Sequence, residues 1–141
     1  MNRPILATIC VLALFQTASV AQINSGAIET GDQIHKGVLE EGDQNRNEFG
    51  QPRFMDVYTF NAVAGQQVFV SLDSEDFDTY LILESPTGWS IDNDDFDSQG
   101  SSLVELIATE GGTWRAIATS YSSYEMGSYE LAIEFGAVAT T

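Results

Sequence analysis

Near the end of the chain Tyr129, Leu131, Ile133 and Phe135 alternate with Glu130, Ala132 and Glu134, and this two-residue period most constrains the fold. An apolar side chain at every second position lines one side of a strand, so this segment buries one face and wets the other. Val68, Val70 and Leu72 repeat the pattern within 67–72. Further short runs lie at 54–61, 79–84, 103–109 and 113–119, with Ala64-Gly65, Pro86-Thr87-Gly88 and Gly111-Gly112 as turn signals between them. Val38-Leu39 offers one more. After residue 21, apolar residues nowhere recur at helical spacing over a useful length. Short strands separated by turns, with no helices between them, read as an all-β antiparallel β-sandwich. On this reading Tyr58, Phe60, Phe69, Trp114 and Tyr129 belong to the core. Gly65 and Gly88 suit turn positions that require φ > 0.

The first stretch has a different character. Arg3 supplies a short positive region, Ile5 to Phe15 is almost wholly apolar, and Ser19-Val20-Ala21 places small residues where a signal peptidase reads. The apolar run is shorter than the ~20 residues a permanent membrane-spanning helix needs. Cys10 falls inside it, and Ala7-Thr8-Ile9 does not resemble a lipoprotein cleavage box. We expect a signal peptide over 1–21, a loose N-terminal segment over 22–36, a sandwich over 37–136 and a short tail over 137–141. The mature chain is then secreted or periplasmic, monomeric and not inserted in the membrane. Its 120 residues make one domain with one core, and it has no cysteine to brace it by a disulfide.

All 21 Asp and Glu follow the signal segment, against Lys36, Arg46, Arg53 and Arg115, a mature charge of about −17. Phosphate backbones and anionic membrane surfaces repel such a protein, which excludes nucleic acid as a partner. Cations, basic proteins and neutral polymers remain.

Two carboxylate clusters, Ser74-Glu75-Asp76-Phe77-Asp78 and Asp92-Asn93-Asp94-Asp95-Phe96-Asp97, sit where apolar runs meet loops. Crowded carboxylates raise one another's pKa unless a cation, donors or bulk water relieve them. Hard oxygen ligands at this density suit Ca²⁺, which takes about 6–8 of them. Asp78, opening a strand whose Leu81 and Leu83 face the core, is the leading ligand together with Asp94 and Asp95; Asp76, Asp92 and Asp97 are secondary. The competing readings are a solvated acidic loop, Asp78 and Asp94 tying loops down through backbone N–H groups, or Ser101 and Ser102 donating to the carboxylates. Asp95 to Gly100 imitates the start of an EF-hand loop, but position 12 is Leu106 where that motif needs a bidentate Glu. The match is false.

In order, the chain shows Gly37-Val38-Leu39, Asp56-Val57-Tyr58-Thr59-Phe60, Ala64-Gly65-Gln66-Gln67-Val68 and Asp76-Phe77-Asp78-Thr79-Tyr80-Leu81. Pro86-Thr87-Gly88, Asn93-Asp94-Asp95, Ser101-Ser102-Leu103, Gly112-Thr113-Trp114 and Gly127-Ser128-Tyr129-Glu130-Leu131 follow. This ordered set resembles the bacterial pre-peptidase C-terminal domain over about residues 37–135. The resemblance implies a jelly-roll-type sandwich and a non-catalytic module, mostly appended to secreted exoenzymes. It also implies that some members bind Ca²⁺ or insoluble protein or polysaccharide. No peptidase accompanies the module within these 141 residues, so it is expected to act alone or in trans.

The catalytic inventory is thin. A nucleophile needs a base beside it, yet the one histidine, His35, falls in the segment read as a solvated loop, and no Gly-x-Ser-x-Gly elbow occurs. One histidine without cysteine in the mature chain makes zinc improbable. The expected function is a non-catalytic binding or accessory module acting on an extracellular polysaccharide or partner protein. The Tyr121-Ser122-Ser123-Tyr124 loop is a candidate contact surface or a plain hairpin connection. The alternative is a small carboxylate-pair hydrolase, which needs only two Asp or Glu but also a cleft.

Overall fold

The computed structural model describes residues 31–139 except Phe49, so the signal peptide expected over 1–21 lies outside the described residues. Within them the chain forms β1 (Gln33–Leu39), β2 (Gln44–Glu48), β3 (Gln51–Ala62), β4 (Gln66–Asp73) and β5 (Thr79–Glu84). β6 (Ser90–Asn93), β7 (Ser101–Ile107), β8 (Gly112–Ser120) and β9 (Gly127–Val138) complete the set. Two antiparallel sheets result, ordered β1-β9-β4-β7 and β2-β3-β8-β5-β6. The first strand pairs with the last, and β3 with β8, so long-range ladders close the sandwich.

Period-2 side chains build the interior as expected. Tyr129, Leu131 and Ile133 of β9 are buried while Glu130 and Glu134 are exposed. Val68, Val70 and Leu72 of β4 stand beside them in the same sheet, and Leu81 and Leu83 of β5, Phe60 of β3 and Trp114 of β8 join the core from the other sheet. Full burial of one such side chain contributes roughly 1.5–3 kcal/mol. Phe69 is the exception among the expected core aromatics. It is only partly buried, because alternation turns it away from Val68 and Val70 toward the outer face.

The outer face of the five-stranded sheet is also apolar at its centre. Val57, Ile82 and Ile117 are buried there, with Met55 and Tyr80 packed against them. Gly65 and Gly88 have φ of 86° and 95°, as their turns require. The Gly65 N–H donates to Ala108 O at 2.7 Å, and the Gly88 N–H donates to Ser85 O at 3.1 Å.

Three boundaries differ from expectation. The segment read as loose to residue 36 already pairs with β9 from Gln33 onward. His35 is therefore a strand residue: its ring stacks on Tyr58 at 4.4 Å and its Nε2 bonds Gln33 Oε1 at 2.8 Å. At the other end β9 runs to Val138, because Gln66 pairs with it beyond a bulge, so residues 137 and 138 belong to the sheet. β2 and β6 are additional strands, each held by its hairpin partner, β3 or β5.

Candidate functional site

Three loops meet at one end of the sandwich, and the two carboxylate clusters lie on them. Between β4 and β5, Ser74 Oγ accepts from the N–H groups of Asp76 and Phe77 at 3.0 and 3.3 Å. The same hydroxyl donates to Ser128 O at 2.7 Å, tying the turn to β9. Asp76 Oδ2 accepts from the Ser128 N–H at 2.7 Å, and Phe77 tucks its ring edge-on against Tyr129.

The β6–β7 loop is fixed from β5. The Thr79 N–H donates to Gln99 O at 2.8 Å. Thr79 Oγ1 lies 2.6 Å from Ser102 Oγ, which in turn donates to Asp94 O at 2.7 Å. These two hydroxyls are fully buried, so their mutual pairing satisfies what desolvation would otherwise penalise. The β8–β9 loop is held by the Tyr121 N–H donating to Asp78 O at 2.9 Å and the Tyr124 N–H donating to Pro52 O at 3.0 Å. Tyr124 has φ of 64°, a left-handed conformation uncommon for a bulky residue.

The candidate ligands therefore do different things. Asp76 is the carboxylate that ties a loop down through a backbone N–H, the role considered for Asp78 and Asp94. Asp92 is exposed and accepts from Tyr80 OH at 2.5 Å. Asp94 contributes its main-chain carbonyl, and Asp95 and Asp97 are exposed. Ser101 donates to Asp73 Oδ1 at 2.7 Å and Ser102 to a carbonyl, so neither serine bonds the Asp78, Asp94 or Asp95 carboxylates. Asp78 Oδ1 is buried without a hydrogen-bond partner, as is Asn93 Oδ1. Desolvation raises the Asp78 pKa, and the charges of Asp95, Glu125 and Asp94 raise it further.

For a cation, this donor set is loose. Among the described residues no three His, Cys, Asp or Glu side chains are grouped to hold one metal ion. The fit rests on the orphaned Asp78 oxygen and its acidic neighbours.

The same end carries exposed apolar residues. Tyr121, Tyr124 and Met126 on the β8–β9 loop are 50, 59 and 51% exposed, and Phe96 on the β6–β7 loop is 62% exposed. Sequence reasoning singled out the two tyrosines but missed Phe96, Met126 and Glu125. Phe96 was readable as an aromatic inside an acidic loop with no alternating neighbours, but Glu125 needed the fold to bring it near Asp78.

A second group of titratable residues lies inside the sandwich. Tyr129 OH donates to Asp56 Oδ2 at 2.5 Å and lies 2.6 Å from Tyr58 OH. Burial pushes the Asp56 carboxyl up to about 6, against the lowering effect of the Tyr129 hydrogen bond, and the charges of Asp43 and Glu40 add to the rise. Tyr58 is pushed up to about 12, chiefly by burial. Tyr129 is raised too, by burial first and then by the charge of Tyr58. Two tyrosines held protonated against a buried acid form a structural network, and nothing in it is a nucleophile–base pair.

No family model matches the chain, and no curated protein does. Among solved structures it is similar to the pre-peptidase C-terminal domain of collagenase from Bacillus anthracis, with a TM-score of 0.54 and 18% identity over 77% of this chain and 97% of that one. It is also similar to PliG, a periplasmic inhibitor of g-type lysozyme. The Aeromonas hydrophila protein gives a TM-score of 0.55 at 17% identity, covering 82% of this chain and 92% of that one. The Salmonella Typhimurium protein gives 0.51 at 19%, covering 76% and 89%. At these identities the likeness is one of fold, and it is the fold that the sequence resemblance implied.

Proposed function

We propose that this chain is a non-catalytic module of the periplasm or extracellular space that binds another protein. One observation carries the reading: the loop end, held together by hydrogen bonds between its three loops, presents exposed aromatics beside exposed carboxylates. The sandwich neighbours support it, being the pre-peptidase C-terminal domain of a collagenase and a periplasmic inhibitor of g-type lysozyme. The signal segment expected over 1–21 supports the location. Binding assays against purified secreted proteins, with g-type lysozyme among them, run beside a glycosidase and protease panel, test it. Binding without turnover is expected. Turnover abolished by a single Asp→Asn change would establish the carboxylate-pair hydrolase instead.

Weak Ca²⁺ binding beside Asp78 is a second reading, favoured by the buried, unpartnered Asp78 Oδ1 among acidic neighbours. Asp78, Asp94 and Asp95 would be the principal ligands, with Asp76, Asp92 and Asp97 behind them. Extracellular modules bind Ca²⁺ at about 10⁻⁴–10⁻³ M, so millimolar ion would stabilise the native state by about 0.4–1.4 kcal/mol. Thermal unfolding in EDTA, Ca²⁺ and Mg²⁺ at fixed ionic strength measures this. A shaped site prefers Ca²⁺ and loses that preference in Asp78→Asn, whereas general screening of the negative charge makes both ions equal and removes the site.

A further inference from the structure

We propose that the end of the sandwich formed by residues 74–78, 94–100 and 121–126 is the docking surface, and that its occupant is a protein with a lysine- and arginine-rich face. This rests on the protein-binding reading above and adds to it the surface and the chemistry of the partner.

Two independent features coincide at that end. The first is apolar. Phe96, Tyr121, Tyr124 and Met126 are each at least half exposed, on loops that both bond to the Asp78–Thr79 segment. Single exposed apolar residues are ordinary, but four on adjoining loops, all of types enriched in interfaces, mark a contact surface. Tyrosine and phenylalanine have few rotatable bonds, so immobilising them on binding loses little entropy. The loops themselves are pre-ordered by the Ser74, Asp76, Thr79 and Ser102 hydrogen bonds, which lowers the ordering cost of association.

The second feature is electrostatic. Glu75, Asp76, Asp78, Asp92, Asp94, Asp95, Asp97 and Glu125 crowd these loops and their margins, and no Lys or Arg occurs between Arg53 and Arg115 or after Arg115. Among the described residues the ion pairs Lys36–Glu130 and Arg115–Glu84 use other carboxylates, and Arg46 and Arg53, paired across the β2–β3 hairpin beside the Tyr124 loop, leave the eight carboxylates in excess. The acidic loops therefore gain from cations brought by a partner, and a neutral polymer brings none. A field of one sign beside exposed aromatics steers a basic protein toward them and raises the association rate.

The opposite end supplies the control. Val63 is about as exposed as Tyr121, but it sits by the Gly65 turn, next to Ala108 and Ala139, away from the acidic loops.

The experiment is surface plasmon resonance in EDTA with the mature protein immobilised. The analytes are a panel of basic secreted proteins including g-type lysozyme, the same proteins with lysines acetylated, and a neutral set. We expect at least one basic analyte to bind, with an association rate that falls steeply with salt, and acetylation to weaken it about ten-fold or more. Phe96→Ala with Tyr124→Ala, and separately Asp95→Asn with Glu125→Gln, should each weaken binding by about ten-fold or more, while Val63→Ser leaves it unchanged. Circular dichroism melts verify that the variants are folded. Equal binding by wild type and both loop variants overturns the surface, and binding confined to neutral proteins overturns the cationic partner. In either case the module reading survives. No binding to any analyte overturns both.

Discussion

Replacing Gly37 with alanine is expected to destabilise the domain by about 2–4 kcal/mol, far more than a methyl group on an edge strand ordinarily would. Gly37 and Tyr129 face each other across the β1–β9 ladder, and the tyrosine ring lies over the glycine backbone. A Cβ at Gly37 would overlap Tyr129 Cζ and, more severely, its hydroxyl oxygen. The ring cannot swing aside freely. Its hydroxyl is bonded to both Asp56 and Tyr58, and Phe77 meets it edge-on. Relief therefore requires either moving β1 or breaking bonds to a buried carboxylate, which costs about 1–3 kcal/mol by itself. Tyrosine covering a glycine opposite it on an edge strand is a recognised stabilising pair, and here the glycine makes the space the network needs. Urea unfolding of wild type, Gly37→Ala, Tyr129→Ala and the double variant measures the coupling. Gly37→Ala should add almost nothing once the ring is gone. Additive losses, or a Gly37→Ala stability within about 0.5 kcal/mol of wild type, would remove the steric explanation.

How much of this was legible follows from the kind of signal each element carries. β4 and β9 announce themselves, because alternating Val68-Val70-Leu72 and Tyr129-Leu131-Ile133 need only local sequence. β2 has no such signal: Gln44–Glu48 is polar throughout and is a strand only because β3 pairs with it. β1 likewise carries no alternating signal before Gly37, and the inward face of His35 becomes visible only when Tyr58 is known to lie beneath. Phe69 failed in the opposite sense, since the alternation that buries Val68 and Val70 should itself have excluded it from the core. At the loop end, the acidic clusters and the tyrosine loop were visible separately. Their convergence was not, because Tyr121 reaches Asp78 across 43 positions of chain. Asp56 shares a face with Tyr58 and Phe60, so its burial was readable, but its partner Tyr129 lies 73 residues away. Long-range register is what period and spacing cannot supply.

That buried pair gives the domain an unusual pH dependence. The Asp56 carboxyl sits at about 6 in the folded protein against 3.8 for the ordinary group, so the folded state holds this proton more tightly than the unfolded chain does. Stability then falls as pH rises: the contribution is fully present below the unfolded value and is lost as pH passes through about 6. Asp78, also raised, acts in the same direction, whereas most folded domains gain from their carboxylates as pH rises. The full shift corresponds to about 3 kcal/mol, and partial solvent screening near Asp43 and Glu40 reduces the expected effect to about 1–2 kcal/mol. Between about pH 4.5 and 7.5 the wild type should lose stability by this amount, and Asp56→Asn, which cannot ionise, should lose clearly less. The comparison of slopes removes the general charge repulsion that both proteins share. Tyr129→Phe provides the complementary variant. It strips the donor from Asp56 Oδ2, which matters most when the carboxylate is charged, so its destabilisation should be larger at the higher pH. Urea titrations at the two pH values supply all three differences. Parallel pH profiles for wild type and Asp56→Asn would mean that Asp56 is not the group whose proton the fold retains.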